Sequence, residues 1–361
     1  MNTTIAIIFG GQSAEHEVSL KSATNIFNAI DRSKFNPLLI GIDRAGNWFY
    51  NPEYKMQNIN LAKDDYFADA TSVYMAHSSE KIEIISKNTN MIMANVDVAF
   101  PIVHGTFGED GTLQGFLKSM SIPFVGPDVL GSAIAMDKDV TKRLLKAANI
   151  PVANSYTLYK YNPSEYLYSE IVSTLGLPLF VKPANAGSSV GVSKVTNEDE
   201  FIIALSTAFQ YDNKILVEEA IIGKEIECAV LGNEHIRASV VGEIVATKDF
   251  YSYDAKYISS TGAKLQIPAE INAEISGQIR ECAVKAFKTI CCEGMARVDF
   301  FLTKDNRFVL NEVNTLPGFT EISMYPKLWE QTGIPYKDLI TELISLSLQR
   351  HKRDSKLSIK I

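Results

Sequence analysis

The chain has 361 residues, which at roughly 150 residues per domain predicts two or three domains. Apolar residues make up 46% of it and charged residues 21%, which excludes a disordered chain. Thirty-five basic side chains against forty-two acidic ones leave a formal charge of −7, so we expect neither a nucleic acid nor a membrane surface as the main partner.

The start of the chain, residues 1–4, carries no basic charge, and the apolar run behind it is too short for a signal peptide. No segment approaches eighteen uninterrupted apolar residues, so we expect no membrane span. Neither zinc-site spacing nor the density of a disulfide scaffold is found among the cysteines, which are Cys228, Cys282, Cys291 and Cys292. We therefore expect buried thiols in a reducing cytoplasm.

Strand and helix patterns alternate along the first third of the chain. The predicted elements are a strand at residues 4–9, a helix at about 16–30, and strands at 35–42 and 96–103. Such alternation predicts a mostly parallel sheet with helices on both faces. Residues 47–95 are less regular and more polar, which indicates an elaboration of this unit.

The pattern changes after a helix predicted from Met136 to about Asn149, for which Asp137 or Asp139 is the expected N-terminal cap. Short strands then follow at residues 179–182, 190–195 and 215–218, with a helix at 198–208. The last third of the chain predicts a polar, tyrosine-rich loop at 247–264, a helix at 269–289, a hairpin at 297–314 and two closing helices.

The hairpin carries the most informative pattern. If its turn, residues 304–306, is centred between the last two residues, Asp299 faces Glu312 and Arg297 faces Asn314 on one side of the sheet. Facing carboxylates repel each other unless a cation neutralises them. Oxygen ligands of this kind suit Mg²⁺, and we favour a metal site over the alternative of a solvent-exposed polar face.

A run of small residues and glycines from Lys182 to Gly191 joins two predicted strands and allows backbone N–H groups to surround an anion. It is not a Walker A loop, because no G-K-[ST] follows. A glycine-rich hairpin without a ligand explains the run equally well. Lys138, elsewhere in the chain, offers a second cation for a phosphate.

Three further segments are candidates for a site. Glu15 lies where the first strand turns into a helix, so it could bind a substrate ammonium group or could simply stabilise the helix N-terminus. His104 begins a glycine-dense turn at the end of a strand, where a structural histidine is the alternative. Residues 250–257 lie in a loop near twenty residues long, which is typical of a functional lid or of a disordered segment.

These motifs together resemble the D-alanine–D-alanine ligases of the ATP-grasp superfamily. The matching segments, in family order, are GGQSAEHEVS, HGTFGEDGTLQG, MDK, KPANAGSSVGVSKV, YDAKY, ARVDFFL and NEVNTLPGFT. The resemblance implies an α/β and α+β chain, with an N-terminal parallel α/β substrate domain followed by a two-lobed ATP-grasp fold. The implied domains are residues 1–127, 128–224 and 225–361.

The resemblance also implies the ligands and the residues that bind them. Lys138 and Lys182 would contact ATP phosphates, Glu218 the adenine amino group and Glu225 the ribose. The implied ATP-binding set is Lys138, Lys182, Glu218, Glu219, Ala220, Ile221, Glu225 and Lys256. Two Mg²⁺ or Mn²⁺ ions would be bound by Asp299, Glu312 and Asn314, in agreement with the hairpin geometry.

The implied reaction has two steps. The carboxylate of a first D-alanine attacks the γ-phosphate of ATP, and the amine of a second D-alanine attacks the resulting acyl phosphate. The implied substrate-binding residues are Glu15 for the ammonium group, His104 near the first carboxylate, Gly318 at the oxyanion and Ser323 for the second carboxylate. The implied catalytic residues are Glu15, Ser188 and Tyr257 as a linked trio, Arg297 at the oxyanion and Lys256 at the transferred phosphoryl group.

Related activities remain open from the sequence. D-alanine–D-serine and D-alanine–D-lactate ligases are the nearest alternatives, and Met324 after Ser323, with the retained Tyr257 loop, favours D-alanine. A distant ATP-grasp carboxylate–amine ligase and a non-catalytic nucleotide-binding regulator are weaker alternatives. The resemblance further implies a homodimer and a role in peptidoglycan precursor synthesis.

Overall fold

The computed structural model describes residues 2–54, 59–61, 66–78, 81–162, 167–246 and 263–358. Its first part is one seven-stranded sheet, in the order β6-β5-β4-β3-β2-β1-β7. The strands are β1 (Thr3–Gly10), β2 (Phe35–Ile42), β3 (Trp48–Tyr50), β4 (Thr71–His77), β5 (Ile82–Ser86), β6 (Ile92–Val96) and β7 (Val98–Pro101). Helix α1 (His16–Ala29) packs against β1 and buries its apolar face there.

The sheet is mixed rather than mostly parallel. Strand β1 pairs in parallel with β2 and β7, as the alternating pattern predicts. The remaining pairings, from β2 to β6, are antiparallel, so the segment taken for an irregular elaboration forms regular strands. The predicted strand at 96–103 is divided at Asp97, whose carboxylate accepts a hydrogen bond of 2.7 Å from the backbone N–H of Thr4.

The second sheet has four strands in the order β10-β9-β11-β8. They are β8 (Ser155–Tyr159), β9 (Leu179–Pro183), β10 (Ser193–Val195) and β11 (Lys214–Glu219), accompanied by α5 (Tyr168–Leu175) and α6 (Glu198–Ala208). The predicted strand at 190–195 is shorter than expected. Ser188, Ser189 and Gly191 have φ values of 53°, 60° and 70°, which turn the chain before β10 begins.

Three helices connect the first two sheets. They are α2 (Thr112–Ser119), α3 (Val129–Met136) and α4 (Lys138–Ala147). Asp137 rather than Asp139 caps α4, because its side chain accepts hydrogen bonds from the N–H groups of Asp139 and Val140. The helix ends before Asn149, which has a φ of 54°.

The third sheet has five strands in the order β14-β13-β12-β15-β16. They are β12 (Lys224–Gly232), β13 (Arg237–Ala246), β14 (Ala263–Gln266), β15 (Gly294–Leu302) and β16 (Phe308–Asn314). The helices of this part are α7 (Ala273–Thr289), α8 (Met324–Gln331) and α9 (Tyr336–Asp354). Helix α7 begins four residues later than predicted, where Asn272 accepts a hydrogen bond from the N–H of Glu274.

The β15–β16 hairpin has the predicted pairing at the end that carries the predicted metal ligands. Arg297 faces Asn314, and Asp299 faces Glu312. The register shifts directly beyond this point, so that Phe300 pairs with Leu310. The turn is therefore centred one half-residue earlier than expected, and the bulge restores the predicted pairing.

One hydrophobic core joins the beginning of the chain to its end. It contains Phe9 and Phe27 from the first sheet and its helix, together with Trp329 and Leu343 from α8 and α9. Phe319 is fully buried in this core, with its ring centroid 6.1 Å from that of Phe100. Burying an aromatic side chain of this kind contributes about 1.5–3 kcal/mol, so the core holds the first and third sheets together.

Within the described ranges, no helix combines the length and the apolar composition that a membrane crossing requires.

Candidate active site

A cavity of about 590 Å³ lies where the three sheets meet. Its lining includes residues from each singled-out motif that the structure describes. The predicted residues that line it are Glu15, His104, Lys138, Lys182, Ser188, Glu218, Glu219, Ala220, Ile221, Glu225, Arg297, Asp299, Glu312, Asn314, Gly318 and Ser323. Lys256 and Tyr257 lie outside the described residues.

Glu15 and the glycine-rich loop meet although 173 residues separate them in sequence. The hydroxyl of Ser188 donates a short hydrogen bond to the carboxylate of Glu15, which is 8% exposed. Gly105 also lies against the carboxylate of Glu15. Its φ is +77°, and a Cβ at this position would lie 2.8 Å from Glu15 Oε2. The positive φ and this close approach therefore favour glycine at the position, and Glu15 lines the cavity with its carboxylate bonded to Ser188.

His104 is buried and bonded on both ring nitrogens. Nδ1 lies 2.9 Å from the carbonyl oxygen of Leu316, and Nε2 lies 3.0 Å from the hydroxyl of Ser22. Burial alone lowers the pKa of His104, but the carboxylates of Glu109 and Glu15 outweigh it and raise the pKa above its ordinary value. The histidine therefore links the first sheet to the segment that follows β16.

A buried trio of charges lies on the second sheet. Glu218 forms ion pairs of 3.0 Å with Lys142 and 2.7 Å with Lys182. Burial raises the pKa of Glu218, but the two ammonium groups outweigh it and hold that pKa below its ordinary range. Burial lowers the pKa of Lys142. The trio carries one excess positive charge, which suits a site for phosphate.

Lys138 is fixed between the glycine-rich loop and the hairpin. Its ammonium group donates a 2.6 Å hydrogen bond to the carbonyl oxygen of Ala186 and lies 3.9 Å from Glu312 Oε2. The capped start of α4 at Asp137 therefore places a cation beside one of the predicted metal ligands.

The hairpin holds two carboxylates and an amide on one face. Arg297 donates to both oxygens of Asp299, at 2.8 and 2.7 Å, and Asn314 Nδ2 donates to Asp299 Oδ2 at 2.8 Å. Among the described residues, no cluster of three or more His, Cys, Asp or Glu side chains forms a metal site. Two carboxylates with an amide oxygen still fit Mg²⁺ or Mn²⁺, which take their other ligands from phosphate and water.

The segment after the hairpin forms a second polar corner. The Ser323 hydroxyl accepts a 2.9 Å hydrogen bond from the N–H of Thr320 and lies 2.8 Å from the Thr320 hydroxyl. A Cβ at Gly318 would lie 2.6 Å from Ser323 Oγ, so only glycine leaves this hydroxyl undisturbed. The corner can bind a carboxylate through the hydroxyl of Ser323 and nearby N–H groups.

Lys142, Glu227 and Ser22 are buried polar side chains at the site that the sequence patterns did not single out. Lys142 follows Lys138 by four residues, which places both on one face of α4. Glu227 follows Glu225 by two residues in an otherwise apolar strand, so both face the cavity. These spacings were available in the sequence, whereas nothing marked Ser22.

Family models for the two parts of the D-ala D-ala ligases match this chain. The N-terminal model matches residues 4–127 and the C-terminal model matches residues 144–345. The D-alanine–D-alanine ligase of Oceanobacillus iheyensis is 53% identical over 364 residues, covering 99% of this chain and 98% of that protein. D-alanine–D-alanine ligase A of Escherichia coli K12 is 54% identical over 355 residues, covering 98% of each chain.

Solved structures are similar over nearly the whole chain. The D-alanine–D-alanine ligase from Coxiella burnetii has a TM-score of 0.84 at 38% identity, and the match covers 98% of both chains. The VanG D-Ala:D-Ser ligase from Enterococcus faecalis has a TM-score of 0.86 at 39% identity, covering 96% of this chain and 100% of that one.

Proposed function

The chain belongs to the D-alanine–D-alanine ligase family, and we propose that it joins two molecules of D-alanine while cleaving ATP to ADP and phosphate. The observation that carries this proposal is the convergence on one cavity of an ammonium-binding carboxylate, a phosphate-binding lysine group and a metal-binding hairpin. Each of them comes from a different sheet, and each matches one chemical group of the substrates.

The first D-alanine binds beside the first sheet. Its ammonium group pairs with Glu15, which Ser188 orients, and its carboxylate lies near His104. Burial lowers the pKa of His104, but Glu109 and Glu15 raise it above its ordinary value, so the ring protonates more readily and attracts a carboxylate when it is charged. The ring cannot turn easily, because Leu316 and Ser22 fix both nitrogens.

ATP binds between the second and third sheets. The ammonium groups of Lys138 and Lys182 pair with its phosphates, while Glu218 and Glu225 contact the adenine and the ribose. The backbone of residues 219–221 forms the wall beside the base. Asp299, Glu312 and Asn314 would hold two Mg²⁺ or Mn²⁺ ions, which neutralise the phosphate charge when bound.

The reaction then proceeds in two balanced steps. A carboxylate oxygen of the first D-alanine bonds to the γ-phosphorus while the bond to ADP breaks. The amine of the second D-alanine attacks the acyl carbon, loses a proton, and displaces inorganic phosphate. Arg297 and the N–H of Gly318 stabilise the oxyanion, and Ser323 binds the second carboxylate. Lys256 would contact the transferred phosphoryl group and Tyr257 would complete the trio with Glu15 and Ser188, and both lie outside the described residues.

The choice of the second substrate needs its own test, because one similar structure is a D-Ala:D-Ser ligase. Met324 follows Ser323, is 4% exposed and lines the cavity. Its apolar surface suits a methyl side chain and offers no partner to a hydroxyl group, which favours D-alanine.

ADP release measured side by side with D-alanine, D-serine, D-lactate and L-alanine tests the activity. In equimolar mixtures of D-alanine with one of the other three, we expect D-alanyl-D-alanine to exceed the mixed product by at least tenfold. Equal or faster release with D-serine or D-lactate would replace the second substrate in the proposal. Release with none of them would favour a non-catalytic nucleotide-binding role.

The remaining proposals concern organisation and setting. Three sheets support a division into residues 1–127, 128–224 and 225–361, and the family supports a homodimer, which sedimentation equilibrium would test. All four cysteines are free thiols, which supports a cytoplasmic location, but Cys291 is exposed and Cys282 only partly buried, so the expectation of buried thiols is wrong for these two. The product would serve peptidoglycan precursor synthesis.

A further inference from the structure

Glu227 is a buried carboxylate beside the reacting groups that the proposed mechanism does not use. It lies on β12, is 5% exposed and lines the cavity. In the sheet it pairs with Asp299, which in turn pairs with Glu312, so three carboxylates stand in one row across three neighbouring strands. A buried carboxylate in such a row needs a cation to offset its charge.

The guanidinium of Arg297 is that cation, and it contacts carboxylates on two strands. Its Nε lies 2.9 Å from Glu227 Oε2, while its guanidinium also donates to both oxygens of Asp299. Two carboxylates from neighbouring strands therefore share the Nε edge of one guanidinium. A metal ion that binds Asp299 competes with Arg297 for the same oxygens, because both need the lone pairs of one carboxylate.

We propose that Glu227 is a positioning residue that keeps Arg297 at the cavity face when the oxygens of Asp299 bind a metal ion. The inference rests on the proposed ligase function, in which Arg297 stabilises the oxyanion. An oxyanion donor acts only when it is already oriented at the moment the charge develops. Glu227, on a strand that carries no metal ligand of the proposed set, provides an anchor for Arg297 that metal binding leaves in place.

The anchor also has a consequence for metal affinity. Without Glu227, the guanidinium of Arg297 interacts more strongly with Asp299. It therefore competes more strongly with a metal ion for the oxygens of Asp299. A purely electrostatic effect of the lost carboxylate would weaken metal binding whether or not Arg297 is present. The two explanations therefore differ in a chain that lacks Arg297.

A double-mutant cycle with Glu227→Gln and Arg297→Ala separates them. Mg²⁺ affinity is measured by calorimetry with a non-hydrolysable ATP analogue, and kcat and KM for D-alanine are measured on the full chain. We expect Glu227→Gln to weaken Mg²⁺ binding by about three- to tenfold and to lower kcat by about tenfold with KM changed less than twofold. In the Arg297→Ala background, both effects should shrink below twofold.

Glu243→Gln is the matched control. Glu243 is 7% exposed on the adjacent strand β13 and pairs with Lys224 at 2.8 Å, but it is not part of the cavity lining. We expect this control to leave Mg²⁺ affinity and kcat within twofold of the unaltered chain. Effects of Glu227→Gln that persist undiminished without Arg297, or that Glu243→Gln reproduces, would overturn the inference. An unaltered chain that releases no ADP with D-alanine would instead overturn the proposed function.

Discussion

Glu218→Gln is the substitution that best tests the charge arrangement of the second sheet. The carboxylate lies 3.0 Å from Lys142 and 2.7 Å from Lys182, and the three residues are 5%, 3% and 8% exposed. The glutamine has nearly the same shape but no charge. Two ammonium groups then remain buried without a counter-ion, whereas the native trio contains only one excess positive charge.

The size of the effect follows from that unbalanced charge. Removing one partner of a buried ion pair costs about 3–5 kcal/mol, because the other charge stays buried and uncompensated. At about 2 °C per kcal/mol for a chain of this size, the melting temperature should fall by ~6–10 °C. Lys142→Met should cost less than half as much, because Glu218 and Lys182 remain as a balanced pair.

The loss should also depend on pH. Burial already holds the pKa of Lys142 below its ordinary value, and removal of Glu218 takes away the main attraction that opposes this. The folded variant then binds fewer protons than the unfolded chain over the range between the depressed pKa and the ordinary lysine pKa. Stability of the variant relative to the native chain should therefore rise as pH increases through that range.

Thermal unfolding followed by circular dichroism at pH 6, 7.5 and 9 measures these effects. Glu219→Gln is the control, because Glu219 accepts a 2.7 Å hydrogen bond from the N–H of Asn154 that a glutamine oxygen can also accept. We expect it to change the melting temperature by less than about 2 °C. The reasoning is refuted if Lys142→Met destabilises the chain as much as Glu218→Gln, or if the loss in Glu218→Gln is the same at all three pH values.

Three further predictions concern the active site. Arg297→Ala should lower kcat by about 10²–10³ while calorimetry shows ATP binding within threefold, and near-normal turnover would remove Arg297 from the oxyanion role. Glu312→Gln should raise the Mg²⁺ concentration needed for half-maximal activity by about 10-fold or more. An unchanged metal titration would contradict the assignment of Glu312 as a ligand. His104 has a raised pKa, so its protonated form stabilises the fold below the ordinary histidine pKa, and this stabilisation is lost as pH rises through the higher folded value. The melting-temperature difference between the native chain and His104→Gln should accordingly be larger at pH 6 than at pH 9, and an equal difference at both would show that the ring stays neutral.

The hairpin shows how a local pattern can predict a site correctly although one step of the reasoning is wrong. Period-two alternation placed Asp299 opposite Glu312, as the structure has them. The assumed turn centre was displaced by half a residue, and the register shift beyond Asp299 compensated for it. A bulge depends on how the strands twist against their neighbours, so the sequence of the hairpin alone does not reveal it.

Contacts between distant segments were the main feature that the sequence could not supply. The motifs named Glu15 and Ser188 through a family resemblance, but no spacing rule predicts a hydrogen bond across 173 residues. Glu218 was assigned to adenine on the same basis, and its two lysine partners became visible only in the folded sheet. Strands β4 and β5 alternate buried and more exposed residues, as strands with one covered face do, yet the polar composition of residues 47–95 concealed this pattern.

The segment after β16 fixes the position of Ser323 relative to the first sheet and Glu15. The carbonyl oxygen of Leu316 is bonded to His104, and the N–H of Phe319 donates to the hydroxyl of Ser22, so the first sheet fixes this segment at two points. Ser323, which would bind the second D-alanine, lies only a few residues further on. Because Phe319 is also buried in the core shared with the first sheet, displacing Ser323 from Glu15 would require that core to open. Packing between the first and third sheets thus sets the distance between Glu15 and Ser323.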